Sequence, residues 1–277
     1  MSKSYDFVPF LECKPYNSQD KNYDGVIPIK IRTLTPIHLS FGEYSIDKQN
    51  RIFKPFTRIN DSLVIPGSSI KGVIRSIAEA ISYSCYTPSG QLDRERLPDK
   101  RHPNRDSNCI ICHMFGTMSH KSKVYFSDSY IREGTSQIIG LPASFPPRPT
   151  SLSYHDEEGK YKGHKFYKHG ILGIQARGDI LYEYVLEDSE FQGQVRFNGL
   201  TDEQVQLLCF SLGLSGDIQP KIGFGKGHYY GSISIESEGK WIDKAKEYKE
   251  IKNADISGNI AKIIEILNFN NAVKSLE

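Results

Sequence analysis

The chain has 277 residues, a formal net charge of +2, 38% hydrophobic and 25% charged residues, the make-up of a globular protein with a real core. No run approaches 18 consecutive apolar residues, so no membrane span is expected. The start, MSKSYDFVPF, lacks a signal-peptide apolar region, which makes a cytoplasmic location the expectation. The five cysteines are odd in number, which argues against a disulfide framework in such a chain.

Residues 26–34, GVIPIKIRT being the stretch from 25, alternate as a strand should, and a long polar loop is expected over 39–60. A helix is predicted from Ser69 to about residue 86. Its apolar positions Ile70, Val73, Ile74, Ile77, Ala78 and Ile81 form one stripe. Residues 88–121 are polar and read as irregular; 123–128 (KVYFSD) reads as a short strand. Residues 131–178 read as a long insertion rich in Pro and Gly, and 179–199 as two strands. Thr201 is placed to cap a helix over 202–214. A strand is expected over 228–237 and a terminal amphipathic helix over 255–269. Without the insertions the order is β-α-β-β-α-β. The fold class is therefore α+β, with a modified ferredoxin-like (RRM-like) core in a single domain spanning 1–277.

The distribution of charge says more than its sum. Between Arg51 and Arg177 stand 19 Lys and Arg against 11 Asp and Glu, a basic middle that suits a polyanion partner.

Three constellations carry chemistry. In "VIPGSSIKGVIRS" (64–76), Ser68 or Ser69 can cap the helix, and the free amides of a helix start attract anions. Gly67 and Gly72 leave room for a phosphate, while Lys71 and Arg75, at i and i+4, point from one side. A capped core helix with two solvated cations fits the same residues. In "PKIGFGKGHYY" (220–230), Gly223 and Gly225 let a backbone approach, Phe224 offers a stacking face and Lys226 a charge; a plain glycine turn is the alternative. Finally, Cys109 and Cys112 form C-x-x-C, half of a common zinc site, with Cys85, His102 and His113 as further donors. The best set is Cys85, His102, Cys109 and Cys112, stapling the 88–121 insertion. Two reduced thiols in a core, or a redox pair, would look alike. Cys13 and Cys209 read as lone thiols. His38, His164 and His169 read as ordinary surface or core histidines, and Asp47 and Asp61 as turn formers.

Together, "LTPIHLSFG" (34–42), "VIPGSSIKGVIRS" (64–76), "CIICHMFG" (109–116), "VYFSDS" (124–129), "GHKFYKH" (163–169) and "IGFGKGHYYG" (222–231) resemble the RAMP superfamily of CRISPR effector subunits, in particular the backbone-type subunits of type III complexes. The resemblance runs from about residue 27 to 235. It implies a guide (crRNA)-binding subunit in antiviral defence, with guide and target RNA and neighbouring effector subunits as partners, stacked into a filament. The resemblance maps the family's phosphate-contacting helix start onto Gly67, Ser68, Ser69, Lys71 and Arg75 and its glycine loop onto Gly223, Phe224, Gly225 and Lys226; His38, Lys54, Arg58, Lys165 and Tyr167 are further candidate RNA contacts. It places a thumb-like hairpin at 131–178 and supports structural Zn near "CIICHMFG". Cleaving relatives carry an aspartate shortly before a proline in the loop after the first strand. Here the residues before Pro55 are Ile52, Phe53 and Lys54, and Asp47 lies further upstream. A target-cleaving endoribonuclease using Asp47 with Mg or Mn, or a guide-processing endoribonuclease of the same superfamily, are the alternatives.

Overall fold

The alternating stretch near residue 26 becomes the centre of the main sheet. In the computed structural model, residues 3–17, 20–85, 96–97, 109–143, 151–175 and 177–274 are described. Strand β2 (Tyr23–Thr33) buries Ile27, Ile29, Ile31 and Thr33 and turns Val26, Pro28 and Arg32 outward, as a period of two demands. It lies between two antiparallel neighbours, β13 (Ile233–Glu236) and β12 (Glu190–Leu200). The far edge of β12 pairs with β7 (Val124–Phe126) and β8 (Ser129–Glu133). Helix α1 (Gly67–Ala80) connects β2 to β7 through the intervening loops, and α3 (Asp202–Ser211) connects β12 to β13. The spatial order β13-β2-β12-β7/β8 with these two helices is the ferredoxin-like arrangement. Beyond β8 the sheet is extended by a hairpin, β6 (Ser62–Ile65) and β5 (Arg58–Ile59). Its two-residue turn puts Asn60 and Asp61 at positive φ, as a tight hairpin requires.

The helices close one face of the sheet. On α1, Ile70, Ile74, Ile77 and Ala78 are buried, each isoleucine contributing roughly 1.5–3 kcal/mol by leaving water. The Thr201 capping box forms as expected: its hydroxyl accepts from the Gln204 amide, and the Gln204 side chain accepts from the Thr201 amide. Helix α4 (Gly239–Lys249), which the sequence reading did not assign, packs on α3, with Tyr248 against Phe210, and buries Trp241 against Phe197 of β12. Helix α5 (Ala254–Leu267) buries Ile256, Ile260, Ile263 and Ile266 and covers β1 (Tyr5–Val8) and β10 (His164–Tyr167).

Several segments expected to be irregular are ordered by pairing far along the chain. The loop 39–60 contains β3 (Ser45–Ile46), β4 (Ile52–Lys54) and the start of the β5–β6 hairpin. The polar stretch 88–121 contains α2 (Ile110–Phe115), capped by the Cys109 sulfur. The span 131–178 is not one hairpin. It supplies the end of β8, then β9 (Ser136–Leu141), then β10, which pairs with β1. Strand β11 (Ile180–Val185) leaves the main sheet and joins a second one, ordered β3-β4-β11-β9. The last strand begins only at Ile233, because residues 226–228 form a 3-10 turn bounded by left-handed Gly225 and Tyr229.

Candidate nucleic-acid interface and thiol cluster

Three segments remote in sequence meet at one cleft of about 450 Å³. The first turns of α1 contribute Ser68, Ser69, Gly72 and Ser76. Strand β10 contributes Lys165 and Tyr167, and the glycine loop contributes Lys221, Gly223 and Lys226. Leu39 and Leu267 add apolar surface. The lysines and hydroxyls share the lining with Val73, Ile77, Phe166 and Ile222, and no carboxylate is among the lining residues.

Each lysine is held differently. The Lys165 ammonium donates to the Tyr154 and Tyr167 hydroxyls at 2.7 and 3.1 Å and sits 4.0 Å from the Tyr5 ring centroid. Burial pulls its pKa down, but the two tyrosine oxygens outweigh burial and the net direction is up. Burial lowers Lys226. Lys221 is pushed down to about 7, by burial first and by the neighbouring Lys226 charge second; its Nζ donates to the Lys168 carbonyl at 2.9 Å. Among the described residues neither Lys221 nor Lys226 has a carboxylate partner. These are desolvated cations facing a cavity that an anion would fill.

The start of α1 differs from the sequence expectation. Pro66 is the N-cap, and no side chain of Ser68 or Ser69 caps the helix. Both serines lie in the first turn beside the cleft. The Gly67 amide donates to the Asp128 carboxylate at 2.8 Å, and the Ser69 and Ile70 amides donate back to the Pro66 carbonyl. Gly67 is required by packing: a Cβ there would stand 2.2 Å from the Phe126 carbonyl oxygen. Lys71 and Arg75 do share a side, but it is not the cleft side. Lys71 donates to Ser122 Oγ at 2.8 Å; Arg75 pairs with Glu79 at 2.8 Å and donates to the Gly116 carbonyl at 3.3 Å. One helical step of rotation, from Lys71 to Gly72, separates the two sides.

Other expected contact residues serve the scaffold. His38 is buried, with Nδ1 2.7 Å from the Glu183 carbonyl, and burial lowers its pKa. Its own carbonyl accepts from the Phe224 amide at 3.0 Å and lies against Gly223, whose φ is +79° and whose Cβ would come within 2.2 Å of it. His38 therefore shapes the glycine loop from inside. Phe224 stacks on Tyr182 with centroids 4.7 Å apart and is not a free platform for bases. Arg58 makes a two-pronged ion pair with Glu183, which also accepts from Ser136 and the Phe56 amide. Lys54 lies near the Tyr44 and Tyr182 rings. His169 is a satisfied core residue between Ser232 Oγ and the Leu267 carbonyl. Asp47 is a turn former: Oδ1 accepts from the Gln49 and Arg51 amides and Oδ2 from Arg51 Nε at 2.7 Å, and these bonds, the Arg51 amide's first, hold its pKa down. It does not line the cleft.

At the other end of α1, Cys85, Cys109 and Cys112 converge, all buried, with sulfurs within 4.8 Å of one another. Cys85 lies 3.3 Å from Cys112 and 3.6 Å from Cys109, sulfur to sulfur. Zinc–sulfur bonds of about 2.3 Å in a tetrahedron set sulfurs about 3.8 Å apart, so this triangle suits one face of a zinc–thiolate site. Hydrogen bonding within the cluster, with Cys112 first, favours the Cys109 thiolate, and hydrogen bonding with Cys109 pushes Cys112 up to about 11. The Arg75 guanidinium is close enough to Cys112 and Cys85 to favour their charged forms. His102 lies outside the described residues. His113 is not a ligand here: Nδ1 is 2.7 Å from Gln204 Nε2 and Nε2 is 3.0 Å from Lys123 Nζ. Cys209 is core, as expected. Cys13 is half-buried and stands outside the cluster of three mutually close sulfurs. Sequence reasoning also passed over Lys221, although it directly precedes the glycine loop.

An antiparallel β-α-β-β-α-β core with a lysine-lined cleft beside its first helix defines an α+β protein built to receive a polyanion. The family model of the RAMP superfamily matches residues 30–234, from β2 to β13, and the chain belongs to that superfamily. Membership makes it a CRISPR-associated RNA-binding protein. No curated protein matches the chain. Among the described residues no helix is long and apolar enough to cross a membrane.

Proposed function

We propose that this chain is a guide-RNA-binding backbone subunit of a type III CRISPR effector complex, assembled beside other subunits of the same complex. RNA lies against the α1 start, β10 and the glycine loop and is held by its phosphates. The observation that carries this reading is the cleft itself: Lys165, Lys221 and Lys226 beside Ser68, Ser69 and Ser76, with no carboxylate among the lining residues. Such contacts neutralise charge without reading bases, so affinity should be sequence-tolerant and steeply salt-dependent. Cys85, Cys109 and Cys112 hold a structural zinc that fixes α2 against the end of α1.

The test compares two unrelated unstructured RNAs by fluorescence anisotropy across a salt series. Lys226→Ala weakens both equally and makes the slope of log K against log salt shallower by roughly 0.7, the value for one phosphate of a single strand. Lys240→Ala, exposed on α4 and outside the cleft, leaves both affinities unchanged. Loss confined to one sequence, or equal loss in both variants, refutes the cleft as the RNA track.

A further inference from the structure

An ammonium has three N–H donors and no acceptor, and at Lys165 three neighbours surround it. Its Nζ donates to the Tyr154 hydroxyl at 2.7 Å and to the Tyr167 hydroxyl at 3.1 Å, and the Tyr5 ring covers a third side with its centroid 4.0 Å away. A phenol oxygen that accepts from an ammonium keeps its own proton to give. Among the described residues neither the Tyr154 nor the Tyr167 hydroxyl donates to an acceptor. We propose that these two phenolic protons form a binding subsite for the non-bridging oxygens of an RNA phosphodiester, and that Lys165 acts through them, as a positioning and polarising residue, without touching the phosphate itself. The inference rests on the reading that the cleft is the RNA track.

The chemistry favours the hydroxyls as the points of contact. An O–H whose oxygen is already bonded to a cation is polarised, and hydrogen bonds joined in a chain strengthen one another. A bond from such a donor to an anionic oxygen is stronger than a neutral one. Both phenol oxygens lie within 3.1 Å of one nitrogen, close enough for a single phosphate to span them. Among the described residues Lys165 has no carboxylate partner, so its charge is left for a ligand and attracts one from a hydrogen bond away.

The subsite is also built in advance. Lys165 and Tyr167 line the cleft, and a Cβ at Gly227, the neighbour of Lys226, would stand 3.6 Å from the Tyr167 ring. Tyr154 ends the 3-10 turn Leu152–Tyr154 and is tied on several sides. Its amide donates to the Ser151 carbonyl at 2.9 Å and its carbonyl accepts from the Lys162 amide at 3.0 Å. Its ring packs on Tyr5 and Phe7, with centroids 5.8 and 5.6 Å away. Tyr5 is fixed in turn: it stands opposite Tyr167 in the β1–β10 pairing, and its hydroxyl is 3.2 Å from Ser153 Oγ. Three segments remote in sequence therefore converge on one ammonium, and the rings that carry the donors lose little freedom when a phosphate arrives.

The experiment uses the full chain and a labelled unstructured RNA, with anisotropy read across a salt series. Tyr154→Phe and Tyr167→Phe, which each remove one oxygen and no charge, should each weaken binding about fivefold, with salt slopes parallel to wild type. Lys165→Met should weaken it more than either, since it removes the charge and the polarisation together. Tyr125→Phe, exposed on β7 and outside the cleft, should bind like wild type. With tyrosines carrying carbon-13 at the ring carbon that bears the hydroxyl, RNA should shift the two resonances that the Tyr154 and Tyr167 variants delete, a change that a structural role alone would not produce. Direct contact by Lys165 predicts the reverse, because removing a tyrosine hydroxyl frees an N–H. Unchanged or tighter binding in both Phe variants, with unmoved tyrosine resonances, overturns the hydroxyl subsite and leaves the cleft reading intact. Wild-type affinity in Lys226→Ala and Lys165→Met overturns both.

Discussion

Replacing Lys221 with methionine removes the cleft cation whose charge changes near neutral pH, at nearly constant side-chain volume. Burial, then the Lys226 charge, push Lys221 down to about 7. Of the groups around it, burial pushes His169 down to about 3 and raises Tyr229, whose ring is 5.9 Å from the Lys221 nitrogen, while burial also lowers Lys226. A phosphate in the cleft favours the ammonium and raises its pKa in the complex. If one charged contact in a half-open cleft is worth about 2 kcal/mol, the rise is roughly 1.5 units. Linkage then makes RNA binding about eightfold weaker at about pH 8 than at about pH 6. The folding sign is separate. Between about 7 and the ordinary lysine value the unfolded chain holds more protons than the folded one, so this group makes stability rise with pH across that window, and Lys221→Met removes that rise. The assay is anisotropy of a labelled unstructured RNA at fixed ionic strength across this pH range, with melting curves on the same samples. The argument fails if wild-type affinity is flat with pH, or if Lys221→Met keeps the full wild-type slope.

Two further substitutions test parts of the scaffold. Gly223→Ala must place a methyl against the His38 carbonyl at a left-handed φ, so it should destabilise by about 2 kcal/mol or more and lower RNA affinity, whereas Gly227→Ala, with ordinary space around it, should melt like wild type. Asp47→Ala should lower the melting temperature by loosening the β3–β4 turn, an effect that disappears as pH falls through the depressed aspartate range, and should leave RNA affinity unchanged; an unchanged melting temperature at neutral pH would refute the turn-forming role.

The ferredoxin-like core was legible because its signals are local. The alternation in Tyr23–Thr33, the stripe from Ile70 to Ile81 and the Thr201–Gln204 cap each need only a short window of sequence. The second sheet was not legible, because β4 lies parallel to β11, more than a hundred residues away, and β3 and β4 span only two and three residues. Helix α4 was missed although Trp241, Ala245 and Tyr248 stand at helical spacing, since its other positions are polar. At the site, residue types and segments were readable: the α1 start, "HKFY" and the glycine loop do converge. Direction was not readable. Spacing places Lys71 and Arg75 on one side of a helix but cannot say which side meets the cleft; that is decided by Ile70, Ile74 and Ile77 docking on the sheet. Likewise His38 and Arg58 sit beside the right elements, yet each is consumed by Glu183, through its carbonyl for the histidine and its carboxylate for the arginine.

The two sides of α1 give its cations a purpose that phosphate binding did not require. The serine and glycine side opens to the cleft, so RNA can approach the helix backbone without meeting a long side chain. The side bearing Lys71 and Arg75 faces the segment around α2 instead, where Lys71 bonds Ser122 and Arg75 bonds the Gly116 carbonyl beside the thiol cluster. A helix start can present small residues to a polyanion only if its axis is held fixed, because a small rotation would bring Lys71 into the opening. The thiol-cluster end and the basic side supply that constraint from behind, and the Asp128 carboxylate supplies it at the front by binding the Gly67 amide. On the proposed RNA track the cations on α1 therefore act indirectly, by setting the angle at which Ser68, Ser69 and Gly72 face the cleft lined by Lys165, Lys221 and Lys226.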